Sequence, residues 1–287
     1  MERPPLWVTA LKTITLAVIV MMMVLPFLHV FAVSLSSYED VLAGGLVLFP
    51  SNPTLAAYEA IFRGGIVVRA LQVSIGLTLF GTLAQMIFTT TMAWGLARPG
   101  VPGSRGLLFV VLGALLIAPG LIPSFLLIKE LGLLNTYQAL ILPGLISSFN
   151  LVIVRQFFMN LPQDLIDSAR IDGASEWQLF WNIGLPLSKA VLAVIALFYA
   201  VSIWNSFFNA ILYLQDASKW PIQLVLRQYV LQGSDIASGA ALSNEPLPPA
   251  RTLQMAIVVV ATVPILILYP FLQKYFTKGV LTGAIKG

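Results

Sequence analysis

The sequence predicts an all-α integral membrane protein, one domain of six transmembrane helices, on three observations. Apolar residues fill 58% of the 287 positions and charged residues only 10%, against roughly a quarter charged in ordinary soluble domains. Six stretches meet or approach the roughly 20 apolar residues that a helix needs to cross a bilayer core. The cations are unevenly shared between the segments that join those stretches, as expected of loops on opposite sides of a membrane.

The spans are expected near 11–33, 67–97, 106–128, 137–159, 188–214 and 252–272. The first imitates a signal peptide, with Arg3 and Lys12 before an apolar run and Val30-Phe31-Ala32 in place of a cleavage site. Its run exceeds the roughly 7 to 15 residues of a signal core, so a retained anchor is expected. The fourth ends at Leu161-Pro162, because proline removes a donor and restricts its predecessor.

Six spans put both termini on one face. With the N-terminus inside, Arg3, Lys12, Arg98, Arg105, Arg155, Arg170, Lys189, Lys274, Lys278 and Lys286 lie in the cytoplasm, the larger share of the 16 cations. Segments 34–66 and 215–250 then become large external loops, marked by Ser51-Asn52-Pro53 and Asn244-Glu245-Pro246. The net charge of +4 is explained by cations near span ends, and no Lys/Arg run of the nucleic-acid kind occurs. Cysteine is absent, which removes disulfides, thiolate metal sites and thiol nucleophiles.

Between the fourth and fifth spans lies a cytoplasmic segment of different character. Residues 164–190 hold Asp164, Asp167, Asp172 and Glu176, two cations, and the rings of Trp177, Phe180 and Trp181. Gln163 to Ile171 has helical composition, Gly173 breaks it, and Ser175 caps a second short helix ended by Pro186. Trp177, Phe180 and Trp181 fall at i, i+3 and i+4, so they are expected to share a face turned toward the bundle. On composition alone this is equally an amphipathic interfacial element without a partner.

Spacing adds a resemblance. Asp167-Ser168-Ala169, three residues, Gly173, nine residues, Ile183, one residue, Leu185-Pro186 resembles the cytoplasmic signature of ABC-importer permeases. Asp167 stands where Glu is usual and Ser168 where Ala is usual; Asp keeps the charge with one methylene less reach. The phrases Ser168 to Ser175, Asn135 to Gly144 and Lys278 to Gly287 look like carbohydrate-uptake permeases of the maltose type, closest to those handling oligosaccharides and uronate-containing polysaccharides such as alginate.

That resemblance implies a type I ABC-importer permease fold for residues 1–287, with a coupling loop at 164–186 and a cytoplasmic tail at 275–287. It implies ATPase docking through Asp167, Ser168, Ala169, Arg170, Asp172, Gly173, Ala174 and Glu176, and tail contacts through Thr282, Gly283, Lys286 and Gly287. The partners implied are a second, homologous permease chain, an ATPase dimer, an extracytoplasmic solute-binding protein, a carbohydrate substrate and membrane lipid. The inner membrane of a bacterium is the location implied.

The sequence contains no Gly-Lys-Ser or Gly-Lys-Thr, so a phosphate-cradling loop is missing; ATP and Mg are expected on partner subunits, and no enzyme activity on this chain. His29, the single histidine, lacks a serine motif and reads as an interior polar residue touching a neighbouring helix. Trp204, Asn205, Phe208 and Asn209 have two readings, a sugar path of rings and amides or helix packing beside an interfacial belt at Tyr213 and Trp220. Gln72, Gln85, Asn150 and Gln156 read as interhelical hydrogen bonders or path residues, and Arg69 and Arg155 as snorkelling or path-lining cations. Two other functions stay open on composition: a secondary transporter, which needs ionisable groups or broken helices at midplane, and a membrane assembly protein without transport.

Overall fold

Hydrophobic length brings the chain into helices, and interruptions within the apolar stretches decide its architecture. The computed structural model describes residues 5–117, 119–232 and 248–284. In order come α1 (Leu6–Ser34), α2 (Tyr38–Ala43), α3 (Ala56–Arg63), α4 (Ile66–Ala97), α5 (Ser104–Leu116), α6 (Leu121–Glu130), α7 (Gln138–Ile141) and α8 (Ser148–Met159). They are followed by α9 (Gln163–Ile171), α10 (Glu176–Leu179), α11 (Leu185–Leu187), α12 (Lys189–Trp204), α13 (Phe207–Tyr213), α14 (Ile222–Gln232) and α15 (Ala250–Ala284). Every regular element among the described residues is helical.

Three of these are long and apolar enough to cross a membrane unbroken: Trp7–Ser34, Ile66–Ala97 and Ala250–Leu268. The other three expected spans are corrected from single helices to broken ones. The 106–128 stretch is α5 and α6, of 13 and 10 residues, parted around Pro119 and Gly120, the latter at φ +77°. The 137–159 stretch bends by 51° between the 3-10 turn Leu142–Gly144, which contains Pro143, and α8. The 188–214 stretch breaks after Trp204 with neither Pro nor Gly at the break. Ser206, at φ −78° and ψ 59°, makes an inverse γ-turn in which the Phe207 N–H donates to Asn205 O (2.8 Å). The Asn205 amide is spent on its own helix, Nδ2 donating to Val201 O at 3.0 Å.

The chain divides into two compact units, Met1–Arg69 with Val225–Val263, and Ala70–Leu224 with Pro264–Gly287. In the first, Ser34 and the Tyr58 hydroxyl hydrogen-bond at 2.7 Å. His29 bridges two elements: Nδ1 lies 2.9 Å from Val47 O and Nε2 lies 3.5 Å from Arg251 Nη2 on α15. Because a carbonyl can only accept and a guanidinium only donate, these contacts fit a neutral ring protonated on Nδ1. His29 is thus the helix-contacting polar residue expected.

The second unit has two apolar cores. One gathers Leu77, Ile128, Leu140, Ile203, Tyr213 and Leu224, with Phe125 stacked on Tyr213 at 6.2 Å. Asn135, at φ +61°, ties the loops beside it, accepting from Asp216 N–H (3.1 Å) and Lys219 Nζ (2.8 Å) and donating its own N–H to Tyr213 O (2.7 Å). A short polar side chain tolerates that left-handed backbone better than most. The other core is centred on Trp94 and contains Leu151, Phe158, Ile166, Leu179, Phe180 and Tyr199. Gln85 donates across the bundle to Gly144 O (2.7 Å), as expected, and Asn150 is buried, whereas Gln72 and Gln156 are exposed. Arg155 does not snorkel free: Nε donates to Leu96 O (2.9 Å) in the last turn of α4, where a cation complements the helix dipole.

At the Trp94 core, the Tyr199 hydroxyl lies 2.7 Å from Thr89 Oγ1 and accepts the Ser147 N–H at 3.0 Å. Polar contacts between membrane helices contribute about 0.6 kcal/mol on average. Tyr199→Phe should therefore destabilise the detergent-solubilised protein by roughly 1 kcal/mol, read as a lowered midpoint of thermal unfolding, with helix content unchanged.

Candidate functional site

The polar segment after α8 builds itself from local rules. α9 ends in two hydrogen bonds that close around Gly173: Ala174 N–H to Ala169 O (2.9 Å) and Gly173 N–H to Arg170 O (3.0 Å). This is the Schellman pattern, and it requires the positive φ of +83° that Gly173 adopts. Ala169 and Ala174, the residues that such a motif brings together, both pack on the Trp94 core. Ser175 then opens α10 with a capping box, its Oγ accepting Gln178 N–H (3.3 Å) and its N–H donating to Gln178 Oε1 (2.8 Å). A π-helical turn, Phe180–Gly184, carries the chain into α11. The run Glu176–Leu187 then meets α12 at 83°.

Burial seats this hairpin. Ile166 and Leu179 are fully buried and Phe180 is 2% exposed. Trp94 meets Phe158 edge-on at 5.2 Å and Phe180 at 5.6 Å, closing an aromatic triangle from three parts of the chain. Gly184 lies so close that a β-carbon there would collide with the Trp94 ring. The expectation that Trp177, Phe180 and Trp181 all turn toward the bundle is corrected. Trp177 is 60% and Trp181 53% exposed. Residues at i, i+3 and i+4 occupy an arc about 100° wide. Leu179, Phe180 and Ile183 define the inward direction, so the tryptophans fall on the outer side of that arc.

Charge organises the same hairpin. Arg170 donates to Glu176 Oε1 and lies 3.7 Å from Asp167. Its guanidinium is held above the usual arginine range, first by the hydrogen bond to Glu176 and then by that carboxylate's charge. Arg98, just past α4, stacks its guanidinium 3.5 Å from the Trp94 ring centroid and sets Nε 3.5 Å from Glu176 Oε2. Burial pulls the Arg98 pKa below its ordinary value, Glu176 opposes that shift, and Arg170 adds to it.

The expected docking residues therefore divide. Asp167, Ser168, Arg170, Asp172, Gly173 and Glu176 are exposed, while Ala169 and Ala174 face inward. Sequence reasoning missed Ile171, which is 88% exposed beside Gly173, and missed Trp94 and Arg98 as the hairpin's seat. An apolar residue between Arg170 and Asp172 was visible as a signal; the Trp94 contacts, made across distant parts of the chain, were not. Of the sugar-path candidates, Asn205 is parted from Phe208 and Asn209 by the break at Ser206, which ends the continuous helix expected over 188–214, and Trp204 is withdrawn into the interior at 5% exposure. Phe208 and Asn209 remain exposed on α13. Thr282 and Gly283 fall within α15, and Lys286 and Gly287 lie outside the described residues.

Residues 90–282 match the model of a family described as binding-protein-dependent transport system inner membrane component. Protein LplC of Bacillus subtilis (strain 168) is 47% identical over 264 residues, covering 92% of this chain and 90% of that protein. The polygalacturonan/rhamnogalacturonan transport system permease protein YtcP of the same strain is 45% identical, covering 92% and 93%. A crystal structure of a bacterial ABC transporter involved in the import of the acidic polysaccharide alginate contains a chain that superposes with a TM-score of 0.89 at 28% identity, covering 96% of this chain and 100% of that one.

The aromatic triangle sets an order of sensitivity within the hairpin. Phe180→Ala should cost about 3–5 kcal/mol through lost burial and a residual cavity, whereas Trp181→Ala, on an exposed ring, should cost far less. Unfolding of the two solubilised variants in parallel measures the difference.

Proposed function

The chain belongs to the family of binding-protein-dependent transport system inner membrane components, and from that premise we propose that it is one permease half of an ATP-driven importer for an acidic oligo- or polysaccharide. The observation that carries the coupling part of this reading is the 164–186 hairpin: anchored below by Ile166, Leu179 and Phe180, and presenting Asp167, Ile171 and Asp172 above. A projection that is tightly seated and carries exposed charged groups presents a preformed surface, which lowers the ordering cost of docking to another protein. ATPase subunits carrying ATP and Mg dock there, and their closure on nucleotide tilts the hairpin as a body.

Cargo class is supported by the polygalacturonan/rhamnogalacturonan name of one relative and the alginate cargo of the transporter with the same fold. A second, homologous permease completes the path, and an extracytoplasmic solute-binding protein delivers the sugar. Phe208 and Asn209 are the path candidates on this chain, since Trp204 is interior and Asn205 serves its own helix. Arg155 is oriented by its bond to Leu96 O, at the end of α4. Both termini and the hairpin lie in the cytoplasm, on the charge bias of the loops. Family membership sets aside the secondary-transport and assembly readings.

The complete complex reconstituted in liposomes, with its binding protein and a uronate oligosaccharide, tests the reading through uptake per ATP hydrolysed. A β-carbon at the positive φ of Gly173 costs on the order of 1 kcal/mol or more, so Gly173→Val should leave the chain in the membrane yet lower that ratio. Asp167→Lys should be more harmful than Asp167→Glu. A wild-type ratio in Gly173→Val would reduce the hairpin to an interfacial element. A cysteine at Ser51 should react with an impermeant maleimide in intact spheroplasts; labelling only after lysis would overturn the orientation.

A further inference from the structure

We propose that Arg98 is a positioning residue for energy coupling, locking the 164–186 hairpin to α4 through Glu176 so that the two move as one body. The proposal rests on reading the hairpin as the joint to an ATPase.

The geometry is a fork. Glu176 opens α10; its Oε1 takes Arg170 from α9, and its Oε2 faces Arg98 Nε at 3.5 Å from the end of α4. One carboxylate thereby links three elements. The Arg98 side chain is 8% exposed, and its Nε and Nη2 have no hydrogen-bond partner among the described residues. Its charge rests on the Trp94 face and on Glu176. A buried guanidinium deprived of its counter-charge carries a large desolvation penalty, so departure of the hairpin from α4 is opposed electrostatically.

Close packing of Ile166, Leu179 and Phe180 seats the hairpin, and the guanidinium over the Trp94 ring, faced by one carboxylate, adds a directional electrostatic link from the hairpin to the end of α4. From α4 the movement has polar routes onward, through Gln85 to Gly144 O and through Thr89 to Tyr199 on α12.

The test is a double-mutant cycle on the reconstituted complex. Arg98→Met keeps a side chain that packs on an indole and should leave assembly and ATP hydrolysis in place while uptake per ATP falls roughly three- to tenfold. Glu176→Gln, which also weakens the bond to Arg170, should fall at least as far, and the double variant no further than Glu176→Gln alone, because Arg98→Met then has no link left to break. Arg98→Lys, which keeps charge and loses the planar stack, should fall between wild type and Arg98→Met. A wild-type ratio in Arg98→Met, or losses that multiply in the double variant, overturns the proposal. Should Arg98→Met fail to assemble, Arg98→Lys decides: a wild-type ratio there overturns the proposal and a lowered one supports it. Gly173→Val run alongside separates the two levels: if it too keeps the wild-type ratio, the hairpin reading fails; if it alone loses coupling, this proposal fails by itself.

Discussion

The arrangement around the hairpin depends on one indole. Trp94 makes a T-shaped contact with Phe158 and a tilted one with Phe180, offers a face to the Arg98 guanidinium, and leaves room for no β-carbon at Gly184. An aromatic ring can do this because it is apolar at its body yet electronegative on its face. It draws in hydrophobic groups and a cation together. The cation in turn faces Glu176, which is how a buried ring specifies where an exposed carboxylate stands.

The hairpin above that ring combines two kinds of determinant. Its turn comes from neighbours along the chain: Gly173 at positive φ, the reciprocal hydrogen bonds around it, and the Ser175–Gln178 box. Its attitude comes from partners far along the chain, through Ile166, Leu179 and Phe180. Local rules alone would give a helical hairpin free to pivot at the membrane surface. Burial converts it into a fixed projection, the property a mechanical joint requires.

Elsewhere the apolar stretches show how a chain interrupts a helix without stranding its backbone. Unpaired backbone groups are costly where no water reaches them. At Asn205 the break is covered from within, by the Ser206 N–H donating to Ile203 O and by the inverse γ-turn in which the Phe207 N–H donates to Asn205 O. At Gly144 the carbonyl freed by the bend is taken by Gln85 from α4. The polar residues of these stretches therefore serve helix breaks as much as any path for cargo.

The sequence by itself determined the helical class, the places of the six apolar stretches, the polar segment between the fourth and fifth, and its turn at Gly173, because each follows from composition or from residues a few positions apart. Phe208 and Asn209 were legible as exposed candidates for the same reason. Tertiary structure alone decided that Phe180 turns inward while Trp177 and Trp181 stay outside, that Trp204 is interior, and that the fifth stretch breaks at a point with no Pro or Gly. It also decided that Arg98, one of several cations near span ends, is buried on a ring. Helical periodicity places residues around an axis, but which arc of that circle is buried depends on surfaces contributed by distant helices, and those surfaces exist only once the chain has folded.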